Sequence, residues 1–168
     1  MTNSNHTSWQ SLVPRSSSRG IALIFLFLTF CGFVDAAYLT VEHYLGVIPP
    51  CSVSQGCEKV LVSEYAVVGG VPVALIGSFY YLLLFLFAVA SLSSEENSNS
   101  DRFLRLAAKI TPLGFMSSLW FVYLQFFVIH AICIYCLISA TISTLLFVIG
   151  MSFLVICRQA SHQSDKIM

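Results

Sequence analysis

Residues 132–156 read ICIYCLISATISTLLFVIGMSFLVI, a run with no charged side chain that opens on a C-x-x-C. About 20 apolar residues in helical form cross the hydrocarbon core of a bilayer, so this stretch alone is long enough to span. Working outward, a very short turn around His130 separates it from an apolar run at about 103–129. Further apolar runs lie at 71–92 and at 20–46. The chain has 168 residues, 57% hydrophobic and 10% charged, against about 25% charged in soluble domains. The expectation is an all-α fold: an integral membrane four-helix bundle, with no room for an appended soluble domain of ordinary size.

The connections set the detail. In the longest, 47–70, Pro49 and Pro50 stop the first helix. Cys51 and Cys57 follow, and then Glu58 to Glu64, which reads as a short amphipathic helix lying at the interface of the first outer loop. Gly69, Gly70 and Pro72 mark the turn into the second span. Pro112, inside the third, is tolerated where a neighbouring group satisfies the carbonyl it frees. Residues 1–19, polar and rich in Ser and Asn, read as a disordered cytoplasmic tail. Residues 20–157 read as the four-span catalytic unit, and 158–168 as a second cytoplasmic tail. A cleavable signal peptide is the competing reading of the first run, with Arg15 and Arg19 before it and V-D-A-A at 34–37. The apolar run continues through Tyr38, Leu39 and Val41, which a cleaved signal does not need.

Basic residues orient the bundle. Both termini and the 93–102 loop share one side, which holds Arg15, Arg19, Arg102, Arg105, Lys109, Arg158 and Lys166; the other holds Lys59. The first side is therefore expected to be cytoplasmic. That puts Cys51, Cys57, Cys133 and Cys136 on the opposite face, where disulfides persist. The net charge of zero and the few basic residues argue against nucleic-acid binding.

The two cysteine pairs carry the chemistry. In C-I-Y-C, Cys133 and Cys136 stand at i and i+3 and share a helix face. Cys133 lies near a helix N-terminus, where free N–H groups favour a thiolate, the attacking species in thiol chemistry. Chance packing and a zinc site of four cysteines are the alternatives. In C-S-V-S-Q-G-C, Cys51 and Cys57 can reach the Cα separation of roughly 4.4–6.8 Å that a disulfide needs. This segment reads either as a loop staple or as half of a relay. Adjacent pairs pass two electrons through a mixed disulfide. The apolar surroundings and the lack of a Gly-rich phosphate loop favour a lipid-soluble quinone as acceptor. Cys31 and Cys157 read as small buried hydrophobes.

Several motifs together resemble the vitamin K epoxide reductase family, in particular its bacterial homologues. They are C-x5-C at 51–57, E-K-V-L-V-S at 58–63, G-G-V-P-V-A-L-I-G at 69–77, C-I-Y-C at 133–136 and D-A-A-Y-L-T at 35–40. The resemblance covers about residues 20–157. It implies a four-helix bundle around a quinone, ubiquinone or menaquinone, capped by the outer loop. It also implies a thiol oxidase of the bacterial inner membrane, cysteines facing the periplasm, that supports disulfide bond formation. Carried over, Cys51 exchanges with a partner dithiol protein, Cys57 passes electrons to Cys133, and Cys136 faces the quinone. Leu61, Ser63, Ser139 and Ala140 fall at pocket positions. Animal members carry a tyrosine where Ala140 stands, which favours quinone reduction over vitamin K epoxide reduction of animal type. Many bacterial relatives fuse a thioredoxin-like domain to the bundle; the expectation here is a separate, DsbA-like partner. The DsbB family also has four spans and two pairs, but there the C-x-x-C comes first. A non-catalytic four-span interaction protein is the reading in a different class. Transport is disfavoured by the few intramembrane charges and the lack of an internal repeat.

Other residues stay open on sequence alone. His130 can stabilise a thiolate or simply sit at the interface. Asp35 lies deep enough to need a partner and is a functional candidate as an intramembrane carboxylate, whereas Glu42 and His43 belong to the headgroup region. Tyr80, Tyr81, Phe115, Trp120, Tyr123 and Phe126 are candidate pocket aromatics.

Overall fold

The computed structural model describes residues 15–47, 56–93 and 99–165, with side chains described for 19–47, 56–93 and 102–159. Cys51, Pro49 and Pro50 lie outside the described residues, as do residues 1–14 of the N-terminal tail. The helices are α1 (Arg15–Leu45), α2 (Gly56–Leu61), α3 (Val73–Ser93), α4 (Asn99–Tyr123) and α5 (Ile134–Asp165). Four of them carry segments long and apolar enough to cross a membrane: Arg19–Leu45, Val73–Ser93, Arg102–Val128 and Ile134–Gln159. Helix α1 starts inside the expected tail, and α5 runs on through most of the other.

The bundle is a ring in which α1 and α4 each pack against both α3 and α5. Small residues line the contacts, among them Ala22, Ala36, Ala88, Ala107 and Ala108, all buried. In lipid there is no hydrophobic drive to bring helices together, so close backbone approach over small side chains supplies the packing. Large apolar groups point the other way: Phe27 and Phe79 are 67% and 64% exposed. That pattern suits hydrocarbon as the surrounding solvent.

Polar groups inside are met locally. Thr29 and Thr40 donate to the carbonyls of Phe25 and Ala36 at 2.7 Å, and Ser78 to that of Ala74 at 3.0 Å. This back-bonding removes a hydroxyl that would otherwise stand unpaired. It also explains how Pro112 sits within α4. Proline has no N–H for the carbonyl four residues back, here Ala108, and the Thr111 hydroxyl donates to that carbonyl at 2.8 Å instead.

One end of the bundle carries a cap. It consists of α2, a 3-10 turn at Glu64–Ala66 and a two-stranded hairpin, β1 (Val67–Val68) and β2 (Val71–Pro72). The hairpin, absent from the sequence-based reading, is antiparallel with Val67 opposite Pro72 and Val68 opposite Val71. Its two-residue loop is Gly69–Gly70, with φ of 60° and 83°, the positive values such tight turns require. Helix α2 then docks on the chain just before α5. A Cβ on Gly56 would lie 2.5 Å from the Ile132 carbonyl oxygen and 2.7 Å from its nitrogen. Only a residue without a side chain lets the two backbones meet. Gly56→Ala is expected to push α2 off this seat and to destabilise the cap by about 1–3 kcal/mol. Faster amide hydrogen exchange across residues 56–61, with little change in the spans, is the readout.

Candidate functional site

The site begins where α4 ends. The last turn of that helix widens into a π-helical turn, Leu124–Val128, and Ile129 N–H closes it on the Leu124 carbonyl at 2.8 Å. The chain then leaves helical form, with His130 at a φ of 51°. Buried non-helical backbone needs partners for its N–H groups, and Gln125 supplies two. Its main-chain carbonyl accepts from Ala131 N–H at 3.1 Å, and its side-chain Oε1 accepts from Cys133 N–H at 2.9 Å.

Cys133 is thereby fixed as the residue that starts α5. Its carbonyl accepts from Leu137 N–H at 3.1 Å, the bond expected of a helix-capping residue. Its sulfur takes the place of a capping oxygen, receiving the N–H groups of Tyr135 and Cys136. The Cys136 thiol donates to the same sulfur. This last hydrogen bond is the main cause that lowers the Cys133 thiol to about 7, against the opposing effect of burial. The two N–H groups act in the same direction, as helix N-termini do for thiolates.

Cys57, on α2 of the cap, joins Cys133 in one cluster. It is disulfide-bonded, whereas Cys133 and Cys136 are free thiols. Cys57 and Cys133 are both fully buried, and they share one apolar cluster with Val60 and Ala131. Partly buried Cys31 and Cys157 are also free and pack on the main core of the bundle, far along the helices from the cap.

Below the cap lies a cavity of about 250 Å³ enclosed by all four spans, α2 and the 3-10 turn. Cys136 lines it, and among the described residues no other cysteine does. The two cysteines of the C-x-x-C thus differ: Cys133 is a buried member of the cluster that holds Cys57, whereas Cys136 packs against that cluster and also borders the cavity. Ile76 of α3 and Leu113 of α4 form part of the wall and are 51% and 70% exposed, so the cavity is not sealed along these two helices.

The walls are mostly hydrocarbon, with a few polar groups. The Tyr81 hydroxyl, deep inside, lies 2.9 Å from the Ser139 carbonyl and from the hydroxyls of Ser139 and Ser143. The Tyr80 hydroxyl and Asp35 Oδ2 are buried with no hydrogen-bond partner among the described residues, and both residues line the cavity. An apolar lining with a few convergent polar groups is that of a small-molecule site.

Of the pocket positions expected from the sequence, Leu61, Ser63, Ser139 and Ala140 all line the cavity. The Ser63 hydroxyl donates to the Val60 carbonyl at 2.7 Å, holding the end of α2. Tyr80 and Tyr81 line the cavity too. The other aromatics do not: Trp120, Tyr123 and Phe126 lie on the outer surface, and Phe115 stacks on Phe147 with ring centroids 4.5 Å apart. His130 is exposed and serves the turn rather than the cavity. Gln125 escaped the sequence reading. Its signal was a lone amide within W-F-V-Y-L-Q-F-F-V-I, an intramembrane polar residue of the kind that marks a site.

Compared with known proteins, residues 23–151 match the model of the vitamin K epoxide reductase family. None of the curated proteins compared with the chain matches it. The matched stretch takes in most of all four spans, the cap and both cysteine pairs. The chain therefore belongs to the vitamin K epoxide reductase family, whose members are membrane thiol oxidoreductases linked to quinones.

Proposed function

We propose that this protein is a membrane thiol oxidase that carries electrons from a dithiol partner through Cys51–Cys57 and then Cys133–Cys136 to a quinone, ubiquinone or menaquinone. The observation that carries this order is that Cys136 lines the cavity and no other described cysteine does, while Cys133 lies buried in one cluster with Cys57. Cys51 exchanges with a thioredoxin-like protein outside. The Cys57 thiolate then attacks Cys133 of the oxidised inner pair, releasing Cys136 beside the acceptor, and the Cys51 thiolate resolves the Cys57–Cys133 mixed disulfide, so that the outer disulfide re-forms and both inner cysteines are left reduced. Closing the Cys133–Cys136 disulfide sends two electrons to the quinone. The cavity, walled mostly by hydrocarbon, suits an acceptor dissolved in the bilayer. The asymmetry of basic residues supports cytoplasmic termini and a periplasmic cap, in a bacterial inner membrane. Residues 20–157 are the catalytic unit, flanked by 1–19 and 158–168. The order of the pairs favours this reading over a DsbB-type oxidase.

Purified protein with a dithiol and added ubiquinone or menaquinone tests the order by the loss of quinone absorbance. Cys136→Ala is expected to abolish quinone reduction. Cys51→Ala is expected to stop oxidation of a protein substrate while a small dithiol still drives turnover. Quinone turnover that survives loss of Cys136 would overturn the assignment.

Thiolate chemistry gives a pH test. With its thiol lowered to about 7, Cys133 is protonated below that pH and ionised above it, so thiolate absorbance in the reduced protein is expected to rise through neutrality. Cys136→Ala removes the main hydrogen bond to the sulfur. The midpoint is then expected to move up toward the free-thiol value of about 8.5.

A further inference from the structure

Quinone reduction moves protons as well as electrons, and the cysteines alone do not explain how protons cross the cavity. Asp35 is the one carboxylic acid among the described residues lining it. Its Oδ2 is buried and has no hydrogen-bond partner there. An intramembrane carboxyl left without a partner is costly, and such groups persist where they have work to do. It lies on the same cavity as Cys136. Other groups facing the cavity are His43 on α1, Tyr65 on the 3-10 turn, Tyr80 and Tyr81 on α3 and Cys136 on α5; α4 contributes no titratable side chain. The Tyr81 hydroxyl is already engaged with Ser139 and Ser143.

We propose that the Asp35 carboxyl is the proton carrier of this cavity, taking the proton of the Cys136 thiol and handing it to an oxygen of the quinone. This rests on the quinone-reducing function proposed above. The Cys133 and Cys136 S–H bonds break and one S–S bond forms, releasing two electrons and two protons. The quinone takes up both electrons and both protons as two new O–H bonds. Asp35 is ionised before and after, and carries one of those protons in between. When Cys133 is already a thiolate, the second proton comes from the water that received it.

The test compares wild type, Asp35→Asn and Asp35→Glu in dithiol-driven quinone reduction. Asn keeps the size of the side chain but cannot ionise. It is expected to lower kcat by about 10²-fold or more, to leave KM for quinone nearly unchanged, and to remove the limb of the kcat–pH profile that the carboxyl supplies. Glu is expected to restore most of kcat. Equal kcat and the same pH profile in wild type and Asn would overturn the proposal. So would equally low kcat with raised KM in both variants, which marks a structural role. If Asn does not fold, infrared difference spectra of wild type on quinone reduction decide: a transient carboxylic-acid band that shifts in Asp35→Glu supports the carrier, and its absence refutes it. Failure of wild type to reduce quinone at all is a different result, and overturns the function itself.

Discussion

Gln125 holds the chain where it has no helix to hold it. Between α4 and α5 the backbone must turn at the end of a tightly packed, largely apolar bundle, where an unmatched N–H is expensive. One residue answers with two carbonyls, a main-chain oxygen for Ala131 and a side-chain oxygen for Cys133. The π-helical turn makes this possible by widening the last turn of α4, a distortion often found at functional sites. Cys133 consequently has one position, at the very start of α5, and its sulfur inherits the N–H groups that every helix leaves unsatisfied at that end. The hydrogen bond from the Cys136 thiol lowers the Cys133 thiol most, these N–H groups add to it, and no nearby cation is needed.

The cap depends on the same turn. Gly56 lies directly on Ile132, so the place of α2 is set by the segment that Gln125 fixes. Cys57 and Val60, one turn apart, bury themselves against Ala131 and Cys133. A small number of contacts thus brings together residues far apart in the chain, and the remainder of the bundle, built on small side chains and back-bonded hydroxyls, serves as a rigid frame around them.

The four spans were legible because each is a long apolar run with few charges, and the helix-starting position of C-I-Y-C followed from where the last run begins. The solution at Pro112 was legible in kind, as a need for a substitute donor, but not in identity, because the Thr111 rotamer is a matter of local geometry. The pocket was only partly legible. Tyr80 and Tyr81 face inward, and α3 is apolar all round, so no amphipathic stripe marks its inner face; in the third span Ser117, Ser118 and Gln125 recur at helical spacing on the cavity side, opposite Trp120, Tyr123 and Phe126. The hydroxyl cluster of Tyr81, Ser139 and Ser143 joins residues about sixty positions apart, and no local pattern announces such a meeting. The hairpin at 67–72 was hidden because two residues per strand are too few to show alternation.

The partly exposed wall at Ile76 and Leu113 has a consequence of its own. A greasy molecule that used it to arrive within the plane of the bilayer would leave the capped end clear for a second molecule docking from the water. Two visitors of opposite solubility would then not compete for one doorway.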